Sequence, residues 1–277
     1  MKTIRLPSDQ SIPVLGMGTW RMGESISQRS AEIAALQHGL DLCITLIDTA
    51  EMYGEGGAEI VIAEAIQGRR SSAFIVSKVY PHNASRQGAI AACERSLKRL
   101  KTDYLDLYLL HWRGSFPLSE TLEAFQMLKQ AGKIRDYGVS NFDLADMKKA
   151  VALPGGAAIA TNQVLYNLMR RGIEWELLPW CRQNHIPIMA YSPVEQGRLL
   201  THRTLQQIAQ ERGVTPAQVA IAWLLHQDNV IVIPKSSSIA HVEENYAALN
   251  LHLTPEELTT LDKAFPPPAK RVALETL

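Results

Sequence analysis

Cysteine is scarce in this 277-residue chain: Cys43, Cys93 and Cys181 are widely separated, and none forms a C-x-x-C pair. That excludes a disulfide scaffold and a cysteine redox or metal motif, and the three are expected to be reduced core thiols. No apolar run approaches the length of a membrane span, and the opening Met1-Lys2-Thr3-Ile4-Arg5-Leu6-Pro7 is broken by charge and proline before a secretory core could form. A cytoplasmic protein with no membrane partner is therefore expected. An excess of either charge is also missing, since Lys plus Arg and Asp plus Glu each number 28. A balanced chain offers no field to hold a phosphate backbone, so nucleic acid is not an expected partner. The eight histidines are scattered without H-E-x-x-H or comparable spacing, and no metal is expected.

Two glycine signatures are also incomplete. Gly16-Met17-Gly18 is followed by Thr19-Trp20-Arg21 rather than by the rest of G-x-G-x-x-G, and Gly54-Glu55-Gly56-Gly57 lacks the Lys-Ser/Thr end of a P-loop. A doubly wound Rossmann sheet thus loses its main support.

What is present is an ordinary globular composition, 46% apolar and 20% charged, and a regular alternation of elements. Eight short β-rich runs are expected as strands, near Leu15–Thr19, Thr45–Thr49, Phe74–Lys78, Leu105–His111, Asp136–Ser140, Ala160–Val164, Pro187–Ser192 and Val230–Pro234. Helical periodicity fills the gaps, as at Ser85–Leu100, Ser119–Ala131 and Thr215–His226. Repeated strand–helix units without a linker or composition shift predict one α/β domain over residues 1–277, a single eight-fold (β/α)8 TIM barrel. Thr3–Leu6 and Ser11–Val14 flank a Pro7-Ser8-Asp9-Gln10 turn and predict a short N-terminal β-hairpin that plugs one end.

Barrel enzymes carry their chemistry where strands end. Here Leu46-Ile47 runs into Asp48, Phe74-Ile75-Val76-Ser77 into Lys78, and Leu107-Tyr108-Leu109-Leu110 into His111, while Tyr53 follows Asp48 by five residues. Any one of these is unremarkable, because strand ends meet solvent. A carboxylate, an ammonium and an imidazole on three consecutive strands, with a phenol beside them, suit carbonyl reduction. Hydride adds to carbon while oxygen needs a proton and charge stabilisation. Lys78 is expected to lower the phenol pKa from about 10, Asp48 to keep Lys78 charged, and His111 to orient the carbonyl.

These residues carry a resemblance. Asp48-Thr49-Ala50-Glu51-Met52-Tyr53-Gly54, Gly138-Val139-Ser140-Asn141-Phe142 and Ile233-Pro234-Lys235-Ser236 are similar to the aldo-keto reductases, bacterial aldehyde and methylglyoxal reductases among them. The similarity runs from Gly18-Thr19-Trp20 to Glu244-Asn245. It implies Tyr53 as proton donor and a nicotinamide cofactor. Ser140, Asn141 and Gln163 would bond its carboxamide, Tyr191 would stack on its ring, and Ser192, Pro193, Val194 and Gly197 would meet its pyrophosphate. Lys235 and Ser236 would take a ribose phosphate, and Glu244 and Asn245 the adenine, with Gly18, Thr19, Trp20 and Asp48 also counted among cofactor contacts. His241 stands where the family usually has arginine, so NADPH is the expected cofactor with weaker use of NADH.

Trp20, Tyr53, His111 and Trp112 are expected to edge the substrate pocket, and Trp175, Trp180 and Trp223 to serve helix packing. The stretch between His111 and Ser119 is short, and only a brief tail follows Pro268. The expectation is an open pocket for small electrophilic aldehydes, 2-oxoaldehydes such as methylglyoxal included, with detoxification as the purpose and no obligate protein partner. Two rivals stay open: a nicotinamide-binding sensor barrel with little turnover, and a Schiff-base aldolase using Lys78 as nucleophile.

Overall fold

The computed structural model describes residues 2–277. A hairpin comes first, β1 (Thr3–Arg5) and β2 (Ser11–Pro13), paired antiparallel with Ile4 opposite Ile12. Eight parallel strands follow: β3 (Gly16–Gly18), β4 (Leu46–Asp48), β5 (Phe74–Val79), β6 (Leu105–Leu110), β7 (Ile134–Ser140), β8 (Ile159–Leu165), β9 (Ile188–Tyr191) and β10 (Val230–Val232). They pair in sequence order, and the bridges Leu15 to Val232 and Gly18 to Lys235 join the first strand to the last. The result is the expected TIM barrel. Among the described residues its helices are α1 (Arg29–Asp41), α2 (Gly57–Ala65), α3 (Arg86–Leu100), α4 (Leu118–Gln130), α5 (Leu144–Val151), α6 (Leu177–Gln183), α7 (Arg203–Arg212), α8 (Pro216–His226), α9 (Ile239–Ala247) and α10 (Pro255–Ala264). None of them is long and apolar enough to cross a membrane.

Strands enclosed on both faces are mainly apolar, and β5 and β6 are buried at every position, Ser77, Lys78 and Asp106 being their polar members. Alternation divides their side chains between two cores. Leu46, Phe74, Val76, Leu107, Leu109, Ala160, Met189 and Ile231 fill the barrel, together with Leu6 and Ile12 of the hairpin region. Ile47, Ile75, Val79, Tyr108 and Leu110 face outward onto the helices. The hairpin therefore plugs the barrel as expected, and its Ser8 hydroxyl bonds Asp136 on β7.

Short polar side chains cap the starts of α3, α5, α8 and α10. Ser85 accepts from Gly88 N at 3.1 Å, so it caps α3 rather than belonging to it. Thr215 caps α8 reciprocally with Gln218, with Pro216 at the first helical position. Cys93 and Cys181 are buried, but Cys43 is exposed. The chain turns sharply after α1 with φ of 65° at Cys43, which points its thiol outward rather than into the core. Of the tryptophans assigned to packing, Trp223 is buried, Trp180 packs partly against the core and Trp175 is exposed at 48%.

Candidate active site

The period of two that fills the barrel also builds the site. Leu46 and Asp48 share one face of β4, Phe74, Val76 and Lys78 one face of β5, and Leu107 and Leu109 one face of β6, with His111 next in step. Continuing each row past its apolar members brings Asp48, Lys78 and His111 to the same end of the barrel interior. β5 runs one residue beyond Lys78, to Val79.

Lys78 is the centre. Its Nζ donates to Asp48 Oδ2 at 2.8 Å, to the Thr49 carbonyl at 2.7 Å and to the Tyr53 hydroxyl at 3.3 Å. Burial opposes its charge, and Asp48 and Tyr53 more than offset that, so its pKa stands above the ordinary lysine value. The expected effect of Lys78 on Tyr53 is present but does not win. Part of the Tyr53 ring is exposed, yet its hydroxyl is the buried end, and burial raises the phenol pKa further than the Lys78 ammonium lowers it. His111 is pushed down to about 2, by burial first and by Lys78 second, so it is a neutral imidazole. Its ring lies edge-on to Tyr53 at 5.8 Å, and its Nδ1 is buried without a hydrogen-bond partner among the described residues.

Tyr53 reaches the site on a turn held by close backbone packing. Gly54 and Gly23 have φ of 56° and 76°, and a Cβ on Gly23 would fall 2.3 Å from the Gly57 carbonyl carbon. Glu51 fastens the same turn to the next loop by accepting from Tyr80 N at 2.8 Å and Asn83 Nδ2 at 3.0 Å.

An extra residue in β8 shapes the neighbouring wall. Tyr137 pairs with Ile159 but Val139 with Asn162, so β8 advances three residues against two, and Ala160 and Gln163 both face inward. Gln163 Nε2 consequently reaches Asp48 Oδ1 at 2.8 Å. Ser140 donates to the Gln163 carbonyl at 2.9 Å, and Asn141, at φ 57°, bonds the His111 carbonyl and receives the Tyr191 hydroxyl at 3.0 Å. Thr19 donates to the Asp48 carbonyl at 2.9 Å on the other side, next to Gly18 and Trp20.

The remaining sequence-predicted residues spread outward from this centre. Ser192, Pro193, Val194 and Gly197 form the loop after β9, while Lys235 and Ser236 follow β10. Glu244 and Asn245 are half-buried on α9, which carries His241 exposed. The donor set fits a dinucleotide. Among the described residues the Gln163 amide oxygen takes no hydrogen bond, and Lys235 Nζ hydrogen-bonds only Ser237 Oγ, at 3.4 Å.

Sequence reasoning missed part of the pocket wall. Tyr80 lies 5.4 Å from Trp112 and 4.5 Å from His82, ring to ring, and Trp112 lies 4.7 Å from His111. The signal was there, because Tyr80 is two residues beyond Lys78 and so on the same side. The tail after Pro268 also does more than expected. Val272 sits against Gly172, Arg271 pairs with Glu176 at 2.7 Å, and the Leu277 backbone lies near the Tyr191 hydroxyl. The tail accordingly packs back against the segment after β8 and beside Tyr191.

The aldo/keto reductase family model matches residues 14–265. The chain belongs to the aldo/keto reductase family. This aldo-keto reductase is 54% identical to methylglyoxal reductase YeaE of Escherichia coli (strain K12), over 99% of its own length and 98% of the relative's. It is 34% identical to a glyoxal reductase of Bacillus subtilis (strain 168), over 94% and 91% of the two chains. Among solved structures, an aldo-keto reductase from Klebsiella pneumoniae in complex with NADPH superposes with a TM-score of 0.97 at 49% identity, covering 100% and 99% of the two chains.

Proposed function

We propose that this oxidoreductase reduces small aldehydes, 2-oxoaldehydes such as methylglyoxal among them, to alcohols at the expense of NADPH. The observation that carries the reading is Lys78 Nζ held between Asp48 Oδ2 and the Tyr53 hydroxyl at the inner end of the barrel mouth. The methylglyoxal reductase of E. coli and the glyoxal reductase of B. subtilis support the substrate class, and the NADPH-bound Klebsiella structure supports the cofactor.

NADPH, when bound, supplies the hydride. Gln163, Ser140 and Asn141 would hold its carboxamide, Tyr191 its ring, the loop from Ser192 to Gly197 its pyrophosphate, and Lys235 and Ser236 its ribose phosphate. As the carbonyl oxygen gains negative charge, Tyr53 donates its proton and is left as phenolate. Lys78, kept charged by Asp48, stabilises that phenolate at 3.3 Å. His111, being neutral, gives one ring N–H to the carbonyl oxygen without placing a second cation beside Lys78. A raised lysine pKa is the opposite of what a Schiff-base nucleophile requires, so the aldolase reading loses its support.

Trp112 and Tyr80 on one side and the tail on the other leave a walled mouth that suits small substrates over bulky ketones. The test is kcat/KM, with NADPH and with NADH, for methylglyoxal, aliphatic and aromatic aldehydes, an aldose and a steroid ketone. Methylglyoxal and other short aldehydes should lead. A preference for the sugar or the steroid would refute the substrate class, and cofactor binding without turnover on any aldehyde would refute the reductase reading.

A further inference from the structure

The loop after β9 is unusual in its backbone. Ser192, Glu195 and Gln196 have φ of 51°, 50° and 55°, and Gly197 has 91°, so three side-chain-bearing residues occupy the left-handed region. Such a conformation persists only where the surroundings hold it. What holds it is Glu195, whose side chain is fully buried. Its Oε1 accepts from Arg170 Nε at 3.0 Å, Arg170 Nη2 at 2.9 Å and Arg198 Nη2 at 2.9 Å, and its Oε2 from Asn167 Nδ2 at 2.8 Å. Asn167 Nδ2 also reaches the Ser192 carbonyl at 2.9 Å.

Arg170 has one nitrogen left, and it faces the tail. Nη1 donates to Glu275 Oε1 at 2.5 Å. Glu275 lies in the chain between Val272, which packs on Gly172, and Leu277, whose backbone lies near the Tyr191 hydroxyl. One guanidinium thus ties the loop after β9, the segment after β8 and the chain end together around Tyr191.

We infer that Arg170 is a positioning residue that sets how firmly this enzyme keeps its nicotinamide cofactor, by clamping the Ser192–Thr201 loop through Glu195 and joining it to the tail through Glu275. The inference rests on the cofactor reading above. Without Arg170 the buried Glu195 carboxylate keeps a single cation, Arg198, whose side chain is 56% exposed. The left-handed loop then loses its main anchor and opens more often, and a cofactor held beneath it leaves faster.

The experiment measures NADPH affinity by quenching of protein fluorescence and NADPH dissociation by stopped-flow chase with NADP+. Arg170→Met should raise both Kd and dissociation rate about tenfold, since it unpairs a buried charge. Arg170→Lys should recover most of the loss by keeping the cation, and Glu275→Gln should give a smaller rise by cutting only the tail link. Retention within twofold of wild type in a normally folded Arg170→Met overturns the inference. Should that variant fail to fold, Glu195→Gln keeps the shape and removes the buried charge, and wild-type retention there overturns it equally. Failure of the wild type itself to bind NADPH refutes the cofactor reading and this inference with it.

Discussion

The Lys78 ammonium lies 2.8 Å from Asp48 Oδ2 with Lys78 fully buried and Asp48 only 3% exposed. Two charges taken out of water are tolerable only together. Lys78→Met should therefore abolish reductase activity and also destabilise the fold by about 3–5 kcal/mol, because it leaves Asp48 buried and unpaired. Pairing it with Asp48→Leu should recover much of the stability and none of the activity. Urea denaturation and a methylglyoxal assay on both variants check this, and a stable single mutant would contradict it.

The neutral His111 makes a pH prediction. Its folded pKa of about 2 lies below the ordinary value of 6.5. Above pH 6.5 neither the folded nor the unfolded histidine binds a proton. As pH falls below that, the unfolded form takes one and the folded form does not, so stability is lost progressively. Wild type should lose more stability than His111→Asn between about pH 7 and 5, the range where a free histidine titrates. Activity should show no limb near 6.5. Because burial lifts the Tyr53 phenol above 10, kcat/KM for reduction should stay level through neutral pH and fall only in the alkaline range. A fall centred near neutrality would count against Tyr53 as the acid.

Gly23 supports Tyr53 from a distance. Its φ of 76° and the 2.3 Å approach of an added Cβ to Gly57 leave no room for a side chain. Gly23→Ala should cost upward of about 1 kcal/mol and depress kcat as well, since the turn it displaces carries the phenol. Thermal melting and steady-state rates measure the two effects, and unchanged kcat in a destabilised protein would separate the turn from the chemistry.

The adenosine end should govern affinity more than rate. Lys235 is exposed and, on the proposed cofactor reading, holds the ribose phosphate rather than the reacting end, so Lys235→Met should raise KM for NADPH and leave that for NADH nearly as it was. His241→Arg should sharpen the NADPH preference by adding a fixed cation on α9. Equal efficiency of the wild type with both cofactors would remove Lys235 from the phosphate site.

The barrel was legible because parallel strands covered on both faces leave continuous apolar runs, and because each run ended in a residue of different chemistry. Strand period alone places Asp48, Lys78 and His111 on the inner face, and Tyr80 was equally within its reach. Gln163 meeting Asp48 was not, because it depends on the extra residue in β8, which shifts the register without leaving any mark in composition. Nor was the net direction of the Tyr53 shift, which is a contest between burial and a nearby charge that only geometry settles. The Arg170 network joins residues up to 105 positions apart through long side chains, and no local pattern announces such contacts.

In the proposed mechanism Tyr53 gives the proton and Lys78 makes that possible. It is tested most directly by Tyr53→Phe, which removes one oxygen and keeps the ring. Methylglyoxal reduction at saturating NADPH should fall by about 10²–10⁴-fold, the span a positioned general acid contributes. NADPH binding, read by fluorescence quenching, should stay within a few-fold of wild type on that account. Reduction by Tyr53→Phe at near wild-type rate would contradict the account.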